Sequence, residues 1–98
     1  MIEIFSKVPM DITKIKKENL DQEILRISLM AELDAINLYE QMANMTDNED
    51  LKKVLIDVAG EEKTHVGEFQ TMLLRMDEEQ VRELVKGKNE VEELTGKK

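Results

Sequence analysis

The sequence predicts an all-α fold: a long antiparallel two-helix hairpin followed by a short C-terminal helix. Three observations predict it. Between about Asn19 and Met76 nothing resembles a strand, and Leu, Ala, Met, Glu, Gln and Lys, the better helix formers, dominate. Apolar residues recur there in alternating steps of four and three, which places them on one helical face. A short polar break, Thr46-Asp47-Asn48-Glu49, divides the run in two. Helices joined by so short a connection fold back on each other.

Each element has a local reason. Residues 1–18 mix apolar and basic side chains around Pro9, the only proline, and read as an irregular N-terminal arm. Asn19-Leu20-Asp21-Gln22 offers a capping box, with Asn19 at the N-cap and Gln22 three residues on. The first helix is expected from there to about Met45, roughly 40 Å at ~1.5 Å per residue. Thr46–Glu49 is a second capping-box candidate, opening a helix to about Met76. The hairpin therefore occupies residues 19–76. Asp77-Glu78-Glu79-Gln80 offers a third cap, for a short helix to about Lys86 with Gly87 as a natural stop. Residues 77–98 are thus a short helix and a solvated tail.

Composition narrows the chemistry. The chain has 98 residues, 22 acidic against 14 basic, and a formal charge of −8. Nucleic-acid binding needs a basic face to displace counterions, so this balance argues against it. No apolar run approaches the ~20 residues of a membrane span, and no signal peptide is evident, so a cytoplasmic location is expected. There is no cysteine and one histidine. Disulfides, zinc–thiolate sites and cysteine nucleophiles are excluded. Any chemistry of this chain rests on carboxylates, one imidazole and one tyrosine.

Polar residues interrupt the apolar seam at one level. On the first helix, Leu25, Leu29, Glu32, Ile36, Tyr39 and Ala43 share a face. On the second, Leu51, Leu55, Val58, Glu62, His65, Phe69, Met72 and Met76 do. With the turn near residue 47, Glu32 lies about 15 residues before it and Glu62 about 15 after, so the two face each other. A buried unpaired carboxylate is costly and either neutralises or finds a cation. Glu62-x-x-His65 sets an oxygen and a nitrogen ligand on one face, a combination suited to iron or manganese and, less exclusively, zinc. The alternative is a hydrogen-bonded structural trio in a metal-dependent helical assembly module without catalysis.

Ligand counting then predicts a dimer. A di-iron carboxylate site in a four-helix bundle takes a Glu from each of two helices and a Glu-x-x-His from each of the other two. This chain supplies half. Two hairpins about a two-fold axis complete both bundle and site, with two iron ions held by Glu32, Glu62 and His65 of each chain.

The stretch Ala31-Glu32-Leu33-Asp34-Ala35-Ile36-Asn37-Leu38-Tyr39-Glu40-Gln41-Met42-Ala43, with Val54-Leu55-Ile56-Asp57-Val58-Ala59-Gly60-Glu61-Glu62-Lys63-Thr64-His65, resembles the encapsulated ferritins. These are short ferritin-like proteins housed in encapsulin nanocompartments, and the resemblance covers roughly residues 20–95. It implies a ferritin-like fold and a decameric ring of dimers. It also implies a ferroxidase centre, oxidising Fe(II) with O2, on Glu32, Glu62 and His65, with an encapsulin shell protein as partner and iron storage in that shell. The family has a further acidic metal site formed by two glutamates of the first helix. Ala31 and Asp34 stand there, so one carboxylate is kept, in shorter form, and Asp34 is a further candidate ligand. Leu38 stands where the family has a tryptophan or similar residue, followed by Tyr39, which could hydrogen-bond a ligand or pass an electron, the alternative being an amphipathic seam residue. Some archaeal relatives carry this domain at the N-terminus of the shell chain, and Glu93-Leu94-Thr95-Gly96 resembles that junction. A peroxide-reducing rubrerythrin-like chemistry is the other enzymatic alternative. Without cysteine, this chain cannot hold the attached rubredoxin centre.

Overall fold

The computed structural model describes residues 16–98. The expected N-terminal arm, residues 1–18, falls mostly outside the described residues, and Lys17–Asn19, which runs across its end, forms a single 3-10 turn. Three α-helices follow: α1, Leu20–Met45; α2, Glu49–Met76; and α3, Glu78–Thr95. There is no strand among the described residues.

The helix starts show how local signals were used. Asn19 does not cap α1 with its side chain. Its N–H closes the 3-10 turn on the Lys16 carbonyl at 2.9 Å. Gln22 does not complete a capping box either. Its amide donates instead to the Met76 carbonyl on α2, at 3.0 Å. At the hairpin turn the cap is Asn48, whose Oδ1 accepts from Leu51 N at 3.0 Å. Thr46 Oγ1 accepts from Asn48 N at 3.1 Å and shapes the turn that precedes it. Asp77 caps α3 as the sequence suggests, its Oδ1 accepting from Gln80 N at 2.9 Å.

Gly87 does not end α3. The helix runs through it to Thr95 and stops at Gly96, whose φ of 67° is the left-handed conformation that favours glycine. An interior glycine costs only about 1 kcal/mol against alanine, less than a run of flanking helix formers supplies.

α1 and α2 pack antiparallel, and the core lies between them. Leu25, Ala35, Ile36 and Ala43 are buried from α1, and Ala59 and Leu73 from α2. Small residues at Ala43 and Ala59, both 2% exposed, let the two backbones approach closely. The line on α2 that faces α1 is rotated by about one residue from the expected stripe. Ala59 and Leu73 are buried, whereas Leu51, Met72 and Met76 are 46%, 41% and 40% exposed. The apolar surface of α2 is wider than one contact line, and part of it faces away from α1. On α1, Ile24 adds to this exposed apolar surface.

Candidate metal centre

Glu32 projects from the middle of α1, and Glu62 and His65 from the middle of α2. One turn of helix separates Glu62 from His65, so both side chains lie on one face. The antiparallel pairing brings Glu32 to the same level. His65 Nδ1 is 3.5 Å from Glu32 Oε2 and 3.4 Å from Glu62 Oε2. One ligand atom from each residue falls within 4.8 Å of the others, and among the described residues this is the group of carboxylates and imidazole able to hold a metal ion. The two carboxylate side chains are 18% exposed and the imidazole 43%. The site thus sits at the border of the packed seam, with its imidazole turned toward open surface.

One atom is out of balance. Glu32 Oε2 is buried and makes no hydrogen bond. A polar atom removed from water without a partner costs about 1–3 kcal/mol, more when charged. The nearby imidazole does not satisfy it in hydrogen-bond geometry. A cation between Glu32, Glu62 and His65 would, and two carboxylates with one imidazole nitrogen form a donor set that suits iron, manganese or zinc. The residues present fit a metal.

The remaining sequence candidates lie apart. Asp34 is exposed and outside the cluster. Two residues along a helix turn it about 200° from Glu32, at ~100° per residue. Tyr39 is half-buried two turns along α1 from Glu32, on the same face. A cross-helix ion pair, Lys63 Nζ to Glu40 Oε2 at 3.1 Å, ties the hairpin beside the site. Glu40 itself is exposed. Its pairing over 23 positions leaves no local pattern to find.

A helical hairpin that gathers two glutamates and a histidine at one level defines the class of protein. This chain belongs to the EncFtn-like family, whose model matches residues 8–87. It is 61% identical over 80 residues to a ferritin-like–encapsulin shell fusion protein of Pyrococcus furiosus, covering 82% of this chain and 23% of that protein. It is 46% identical over 56 residues to the encapsulin nanocompartment cargo protein EncC of Myxococcus xanthus, covering 57% of this chain and 43% of that one. The chain therefore spans less than half the length of these curated relatives. The crystal structure of the encapsulated ferritin domain from Pyrococcus furiosus matches with a TM-score of 0.80 at 53% identity, covering 93% of this chain and 91% of that one. The ferritin-like helical fold expected from the sequence is the fold observed. No helix among the described residues is long and apolar enough to cross a membrane.

Proposed function

We propose that two copies of this chain pair through the faces bearing Glu32, Glu62 and His65 and oxidise Fe(II) at the site they share. The observation that carries this reading is the buried, unpartnered Glu32 Oε2 beside Glu62 and His65. It marks a place built for a cation that one chain alone encloses on one side.

Iron is substrate here. Glu32 and Glu62 from each of two chains bring four negative charges, matching two Fe(II), and each His65 adds a neutral nitrogen donor. The loaded site is then close to neutral and tolerates a seam poor in water. Two Fe(II) each give up one electron, and one O2 accepts both together with two protons, yielding two Fe(III) and hydrogen peroxide. The functional unit is the hairpin of residues 19–76. The same pairing would cover the apolar residues that a lone hairpin leaves exposed, completing a four-helix bundle. Names of two relatives include an encapsulin shell and an encapsulin nanocompartment. We read this chain in that light as an iron-oxidising component of such a compartment, assembled as a ring of dimers, with storage left to the shell.

Aerobic Fe(II) oxidation followed by absorbance tests the reading, with the parent chain and Glu62→Ala compared at matched oligomeric state. The parent is expected to be far faster than buffer, and the variant to fall to the no-protein rate. Equal rates for both proteins would reduce the site to a structural metal position in an assembly module.

A further inference from the structure

α3 leaves the hairpin through a single non-helical residue, Asp77, with φ −129° and ψ 87°. Little apolar packing fixes its direction. No residue of α3 is buried, and Val81, Leu84 and Val85 are 41%, 45% and 57% exposed. The α3 backbone nowhere comes within 8 Å of α1 by Cα positions, and it meets α2 in few places. A cleft of about 240 Å³, walled by Arg26, Leu29, Leu73, Leu74 and Leu84, lies between α3 and the hairpin.

A set of polar contacts crosses this junction instead. Arg26 Nη2 donates to Asp77 Oδ2 at 2.9 Å and, more weakly, to Gln22 Oε1 at 3.3 Å. The Gln22 amide donates to the Met76 carbonyl, the last of α2, at 3.0 Å. The other oxygen of Asp77 caps α3 through Gln80 N. Two side chains of the first two turns of α1 thereby grip the last residue of α2 and the cap of α3. Asp77 has its carboxylate turned inward, 14% exposed, while Arg26 is 47% exposed. The charged groups around this carboxylate are Arg26 from α1 and Arg82 from α3. Arg75 lies in the last turn of α2, and Glu78 and Glu79 in the first turn of α3.

We propose that this clasp is an ion-pair lock on a one-residue hinge. With Arg26 paired to Asp77, α3 is held across the end of the hairpin. Without the pair, α3 swings about Asp77 while the hairpin and its Glu32–Glu62–His65 cluster keep their places. Because Arg26 is half exposed, the lock weakens with salt, as the screening length falls from ~10 Å at 0.1 M to ~3 Å at 1 M.

The 98 residues include no cysteine, so introduced pairs label cleanly. Spin labels at Asn37→Cys and Glu90→Cys, both exposed positions, report the angle of α3. Labels at Asn37→Cys and Lys53→Cys report the hairpin. Labelled chain is diluted into unlabelled chain so that each assembly carries one labelled copy. The parent should give one narrow hairpin-to-α3 distance. Asp77→Asn keeps an oxygen to cap Gln80 N but loses the charge, and Arg26→Gln loses the other partner. Either should widen that distribution about two-fold, the modest strength of a surface pair sufficing to set an angle that little apolar packing fixes. Salt at ~1 M should widen the parent and leave Asp77→Asn unchanged. The hairpin pair should stay narrow throughout. An unchanged α3 distance in both variants overturns the lock. Widening of both pairs overturns it too, since the clasp would then hold the hairpin itself.

Discussion

Two carboxylates on the hairpin are treated in opposite ways. At its open end, Asp77 has every need met from within the chain: a guanidinium at 2.9 Å on one oxygen and a backbone N–H at 2.9 Å on the other. Gln80 N–H first, and then Arg26, hold its carboxyl below the usual value of 3.8, against the opposing effect of partial burial. At its middle, Glu32 keeps a buried oxygen with no partner, next to a second carboxylate and an imidazole. One is finished as folded and sets geometry. The other keeps an oxygen that the fold leaves without a partner, and that is the ground for proposing it as a ligand.

The comparison can be broken from either side. The larger effect is expected at Glu32. Glu32→Gln keeps the shape and removes the charge that lacks a partner, so the metal-free protein should gain about 1 kcal/mol, the order of one unsatisfied polar atom. Thermal unfolding in chelator measures it, and the same variant should lose the stabilisation that Fe(II) gives the parent. A drop in metal-free stability would mean that Glu32 is satisfied by its neighbours and is no ligand in waiting.

A smaller effect of opposite sign is expected at Asp77. Its carboxyl is held below the ordinary value in the folded state, so its contribution to stability is present above 3.8 and fades as pH falls through the folded value. Asp77→Asn should lower thermal stability slightly near neutral pH and flatten the acid limb of the stability–pH curve. Unfolding temperatures between pH 7 and pH 3 check this. An acid limb identical to the parent's would place the acid sensitivity elsewhere.

Much of this was legible in the sequence, for identifiable reasons. Glu32, Glu62 and His65 could be read because helical periodicity is local and the turn at 46–48 fixes the level at which two helices meet. The cap at Asp77 was legible for the same reason. What failed was long range. Gln22 looked like a capping residue, but a carbonyl 54 positions away claims it. The partnership of Arg26 with Asp77, 51 positions apart, leaves no periodic trace. The stripe on α2 merged two faces, since Met72 and Met76 carry the same apolar pattern as Leu73 but stay exposed where Leu73 is buried. Gly87 misled because a single weak propensity was weighed against a helix whose neighbours all favour continuing.

On the proposed function each chain carries half a site, and iron joins two halves. Anaerobic titration of the full chain with Fe(II), read by native mass spectrometry, tests it most directly. Assemblies with even numbers of chains carrying two iron ions per pair are expected, with the iron-bearing species lost in Glu62→Ala. Iron bound one to one on unpaired chains, or the same iron count in the variant, would contradict it.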